Sequence, residues 1–124
     1  MADIREYSVS AHSTDVFGRV SCQARHHTFL IDGPVQNGCP GEEVTPPEAF
    51  LAGVAACGVE LIQVLGKQQG YEGVGVRARI AARVDRENPV RRDCTVFNTV
   101  NLHLEISGVS AEVAFELAEQ FKKR

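Results

Sequence analysis

The period of apolar and polar positions changes along the chain, and each change marks an element. Residues 5–12 read as a short strand with mixed faces, and 13–18 as a turn. A second strand is predicted from Arg19 to Asp32, where Val20, Cys22 and Ala24 alternate with Arg19, Ser21 and Gln23. The alternation breaks at Arg25-His26-His27, and a bulge is expected there. These strands form an N-terminal hairpin. Residues 33–44, rich in glycine, proline and asparagine, read as an irregular loop.

A strong helix start follows. Thr45 caps, Pro46 occupies the first helical position, where its missing N–H is harmless, and Glu48 completes a capping box. The helix is expected to run to about Gln69 and stop at Gly70. That makes a rod of roughly 35 Å. Its first half is apolar on every side, which predicts a central, buried helix. Gly53, Ala55, Ala56 and Gly58 leave room for another element to come close.

Period two returns at 74–84. Val74, Val76, Ala78, Ile80, Ala82 and Val84 face one way, and Arg77, Arg79 and Arg83 the other. After a loop from Arg86 to Asp93, Val96, Val100, Leu102, Leu104 and Ile106 face in from the next strand, with Asn98 an exception on the inner side. The arginine face is expected to pair across strands with Glu105. Ser110 caps a last helix whose Val113, Leu117 and Phe121 form an apolar stripe. The order β-β-α-β-β-α is an α+β fold in a single domain over residues 1–124. So few elements cannot cover every side of the central helix. An intertwined homodimer, with this helix against its symmetry mate, is therefore expected.

Composition changes little in this picture. A chain of 124 residues builds one modest core. A net charge of −3 does not favour nucleic acid as a partner. The run Ala49 to Val59 is too short for a membrane span, and the first residues lack a signal-peptide pattern. A soluble, cytoplasmic protein is expected. Cys22, Cys39, Cys57 and Cys94 form no Cys-x-x-Cys pair, so single-thiol chemistry is the natural kind here.

Cys57 is the most informative thiol. Shielded by small residues, it is either an inert core group or a sheltered nucleophile. A thiolate there needs a cation or a donor, and Arg25, His26 and His27 are the candidates. Glu48 and Cys57 are nine positions apart, on opposite sides of the helix and about 13 Å apart along it. Glu48 would therefore serve the Cys57 of a partner chain. His26 and His27, adjacent on a strand, face opposite ways and do not form a metal site. Cys39, in the loop, is the expected exposed thiol.

Arg25-x-His27, Asp32-Gly33-Pro34, Gly38 and the run from Pro47-Glu48 through Phe50-Leu51-Ala52 and Ala55-Ala56 to Cys57 together resemble the OsmC/Ohr family of osmotically inducible and organic hydroperoxide resistance proteins. The resemblance covers most of the chain. It implies an intertwined homodimer of long helices backed by two sheets, and a thiol peroxidase that needs no metal or organic cofactor. Cys57 matches the attacking cysteine, Glu48 the carboxylate that orients an arginine, and Arg25 that arginine, with Arg19 the alternative. The implied substrate is a small organic hydroperoxide, and an external thiol is the reductant. Active members carry a second cysteine near the end of the last helix, where this chain has none. Cys22, Cys39 and Cys94 remain to fill that role. The alternative reading is a protein of this fold that binds a small apolar ligand without turnover.

Overall fold

A computed structural model of the chain describes residues 3–124. The element order is β1 (Ser10–Ser13), β2 (Arg19–Ala24), β3 (His27–Asp32), a one-turn 3-10 helix (Val35–Asn37), α1 (Pro46–Gln68), β4 (Gly75–Arg83), β5 (Thr99–Ser107) and α2 (Ala111–Lys122). The α+β class is as expected. The N-terminal region differs, with three strands in the order β1-β2-β3 instead of two. The expected second strand folds back on itself at Arg25-His26, because Arg25 adopts φ 55, a left-handed conformation that reverses the chain. What reads as a bulge is a tight hairpin turn. Residues 5–9 fall outside the first strand, which begins at Ser10.

The chain gathers into two compact units, Met1–Phe50 and Leu51–Arg124. The first holds the antiparallel sheet β1-β2-β3. Its register pairs Cys22 with Ala11 on one side and Phe29 on the other, and Arg19 with Asp32.

In the second unit β4 and β5 pair antiparallel from Gly75↔Ser107 to Arg83↔Thr99. Their inward residues Val76, Leu104 and Ile106 pack on a core of Ile62 and Leu65 from α1 and Leu117 from α2, with Val74, Val113 and Phe121 around it. Two glycines let α1 come this close. A Cβ on Gly58 would lie 3.3 Å from the Phe121 ring, and one on Gly66 would lie 3.0 Å from Val74.

Both helix starts follow the expected chemistry, one with a variation. Ser110 Oγ accepts the Val113 N–H at 3.2 Å. At α1 the Glu48 carboxylate accepts the Thr45 N–H at 2.9 Å, and the Thr45 hydroxyl donates to the same oxygen at 2.7 Å. The α1 C-terminus is a Schellman motif. Gly70 sits at φ 87, and the Tyr71 and Gly70 N–H groups return to the Gly66 and Lys67 carbonyls.

Two side-chain expectations change. Arg77 lies opposite Glu105 in the register, but Glu105 turns to His103 at 3.7 Å. Asn98, the polar exception on the inner side, holds the loop between β4 and β5. Its Oδ1 accepts the Asp85 N–H at 2.7 Å, its Nδ2 donates to the Asn88 carbonyl at 2.8 Å, and its N–H donates to the Arg83 carbonyl at 2.8 Å.

Candidate functional site

The candidate residues lie at three places. Arg25 occupies the β2–β3 turn and is exposed, and its carbonyl accepts from Gln23 Nε2 at 3.2 Å. Among the described residues no carboxylate pairs with its guanidinium. Glu48 sits in the first turn of α1, exposed, with both Thr45 bonds on Oε1. The Thr45 hydroxyl first, and then the Thr45 N–H, holds this carboxyl below the usual range. Oε2 carries neither of these bonds and points no obligation at the helix start.

Cys57 directly precedes the buried Gly58 of α1, yet the chain by itself does not shield the thiol. The residue is exposed, as are Phe50, Gly53 and Glu60, which share its side of the helix by their spacing. The core contacts of α1 fall elsewhere, on Gly58, Ile62, Leu65 and Gly66. Thus the helix is apolar nearly all round, yet only one face is covered within the chain. Phe50 alone is 60% exposed. By length and composition α1 is long enough and apolar enough to cross a membrane, but its inner face is committed to a protein core.

Arg19, the alternative arginine, is fully engaged. Its Nε and one terminal nitrogen each bond an Asp32 oxygen at 2.8 Å, and that nitrogen also reaches Glu42 at 3.4 Å. Asp32 is completely buried, and its Oδ2 also accepts the Glu42 and Glu43 N–H groups at 3.0 and 2.9 Å. Arg19 is the main cause that drives the Asp32 carboxyl far below the usual range, and the two backbone donors add to it against the effect of burial. Asp32 in turn raises Arg19 above its ordinary value. This knot closes the 33–44 loop onto the sheet. Asp32 stands in the Asp32-Gly33-Pro34 motif, where nothing in the sequence singles it out as the anchor of the loop. The nearest signal is a lone acidic residue ending an apolar strand.

The remaining thiols and histidines also depart in part from expectation. Cys39 is half-buried, not exposed, because its Sγ fills a slot between Gly18 and Gly33; a Cβ on Gly33 would lie 2.5 Å from it. Cys22 is buried and Cys94 exposed. The His26 and His27 rings lie 4.2 Å apart, on the same side of the turn, because the reversal at Arg25 removes the strand alternation between them. Among the described residues no three His, Cys, Asp or Glu side chains converge as a metal site.

No family model and no curated relative matches the chain. Solved structures do. An OsmC-like protein of unknown function from Vibrio cholerae superposes with a TM-score of 0.77 at 15% identity, over 97% of this chain and 89% of that one. An OsmC-like protein from Mycoplasma pneumoniae gives 0.73 at 18% identity, over 97% and 82%. An organic hydroperoxide resistance protein, OsmC, from Legionella pneumophila gives 0.66 at 21% identity, over 98% and 85%. Superposition at these TM-scores over nearly the full length means that this chain has the OsmC-like fold.

Proposed function

We propose that the protein is a cytoplasmic thiol-dependent peroxidase that reduces organic hydroperoxides through Cys57, working as a homodimer. The observation that carries this reading is the exposed Cys57 on an uncovered apolar face of α1, in a fold shared with an organic hydroperoxide resistance protein. A second copy of α1 laid on that face would bury Phe50 and Gly53 and enclose the thiol. The apolar surroundings suit an alkyl or lipid hydroperoxide better than hydrogen peroxide.

In the proposed reaction the Cys57 thiolate attacks the terminal peroxide oxygen. The O–O bond breaks, Cys57 becomes a sulfenic acid, and the departing alkoxide takes a proton to leave as the alcohol. An external thiol then attacks the sulfenic sulfur and expels water. A second thiol displaces Cys57 from the mixed disulfide and restores it.

Arg25 is the better candidate to stabilise the thiolate, since its guanidinium has no carboxylate partner while Arg19 is held by Asp32 and Glu42. Glu48 has Oε2 with which to orient that arginine. It lies about 180° around the helix from its own Cys57, so a straight α1 does not bring the two together.

The test is the rate of sulfenic acid formation at Cys57 on adding cumene hydroperoxide, read by intact mass against hydrogen peroxide and against Cys57→Ser. Fast oxidation selective for the organic peroxide and lost in the variant is expected. Oxidation no faster than at Cys94 would overturn the reading.

A further inference from the structure

Charge is distributed unevenly along the chain. Residues 75–92 contain six arginines against Asp85 and Glu87, a local charge of +4 in a protein whose total is −3. Arg77, Arg79 and Arg83 alternate on the outward face of β4 and are exposed. Arg77 and Arg79 stand about 6.7 Å apart, and the row spans roughly 20 Å. Arg86 and Arg92 continue it around a cavity of about 400 Å³ in the following loop.

These side chains lack the partners that would explain them as structure. Glu105, the one carboxylate opposite the row in the register, lies against His103. Arg91 is taken up by Asp93 at 2.6 Å, whereas Arg77, Arg79, Arg83, Arg86 and Arg92 have no ion pair among the described residues. Nor does the row serve the core, which lies on the other face of the sheet. Like charges about 7 Å apart repel, so the row costs stability unless something outside the chain answers it.

We infer that the outward face of β4 and its following loop form a docking surface for an acidic polypeptide segment. An extended acidic segment can present carboxylates on one side at the same two-residue spacing, and each planar guanidinium accepts such a partner in a two-pronged pair. A nucleic acid fits less well. Glu105, Asp85 and Glu87 interrupt the positive strip, and a polypeptide can place uncharged residues opposite them where a polyphosphate, charged at every repeat, cannot. The surface lies on the side of the sheet away from α1 and is independent of the reaction proposed for Cys57.

The experiment is fluorescence anisotropy at low ionic strength with a short labelled peptide of alternating glutamate and glycine. Three variants are compared with the native chain: R77E/R79E/R83E, the charge-keeping R77K/R79K/R83K, and K122E/K123E/R124E, which makes the same charge change on α2 and the residues after it. Each exposed pair contributes about two- to fivefold in affinity, so the first variant should weaken binding about tenfold or more. The lysine variant should stay within about threefold, and the α2 variant within about twofold. Equal losses in the first and third variants would reduce the effect to net charge and overturn the inference. So would tighter binding of a single-stranded oligonucleotide or of phosphatidylglycerol vesicles. If R77E/R79E/R83E sediments as a smaller species than the native chain, the row belongs to a contact between copies and the inference fails.

Discussion

Arg19 and Asp32 stand opposite each other in the β2–β3 register, and their side chains close that pairing with two bonds of 2.8 Å. Because Asp32 is buried, removing its charge leaves Arg19 without its main partner and weakens the anchor of the 33–44 loop. Asp32→Asn is expected to lower the thermal midpoint by roughly 5–10 °C near neutral pH. The pH dependence has a definite sign. The folded carboxyl titrates far below its unfolded value of about 3.9, so its contribution is complete above that value and is lost as pH falls below it. The gap between native chain and variant in urea denaturation should therefore close as pH drops below about 4.

Arg25 can be tested without disturbing the turn that holds it. Asparagine tolerates the left-handed conformation at φ 55, so Arg25→Asn keeps the hairpin and removes the guanidinium. The second-order rate of Cys57 oxidation by cumene hydroperoxide should fall about a hundredfold, with the circular dichroism spectrum unchanged. Arg19→Lys should instead lower the thermal midpoint first, since lysine cannot reproduce the double bond to Asp32.

Glu48→Gln separates helix capping from chemistry. Glutamine still offers an oxygen to the Thr45 N–H, so the melting temperature should move by less than about 2 °C. The rate of peroxide turnover should fall, because the neutral amide orients an arginine poorly. A matched loss of turnover and stability would mark Glu48 as a cap and nothing more.

Gly53 and Gly58 give opposite expectations on one helix. A Cβ at Gly53 meets nothing within 4 Å, so Gly53→Ala should stabilise the chain by about 0.5–1 kcal/mol through helix propensity. Gly58 faces Phe121 and Leu102, and Gly58→Leu should destabilise by about 1–3 kcal/mol through overpacking. Gly53→Leu is the test of assembly. Chemical denaturation should show a stable fold, while analytical ultracentrifugation shows weakened dimerisation.

Most of the fold was legible because its signals are local. The capping residues Thr45 and Ser110, the stop at Gly70 and the alternation from Val76 to Ala82 each act within a few residues. The turn at Arg25 was not, because arginine rarely takes a positive φ and nothing in its side chain announces one. Cys39 was misjudged for a related reason. Its shelter comes from the nearby Gly33 and from Gly18, distant in sequence, and an absent side chain leaves no apolar signal to read. For Cys57, helix composition marks the surroundings as apolar and leaves open whether their cover comes from this chain or from a partner helix. Asp32 depends on partners at residues 19, 42 and 43, which only the folded loop brings together.

The slot that holds Cys39 has a practical use. Gly18 and Gly33 flank the Arg19–Asp32 pair and are joined by the Gly33 N–H to Gly18 carbonyl bond of 2.8 Å. A bulky alkylating reagent reaches the half-buried sulfur more slowly while that clasp is shut. Its modification rate, followed over time in a chain whose other three cysteines are replaced by serine, therefore clocks the opening and closing of this corner. The protein carries its own timer for local unfolding at the place where the 33–44 loop is tied to the sheet.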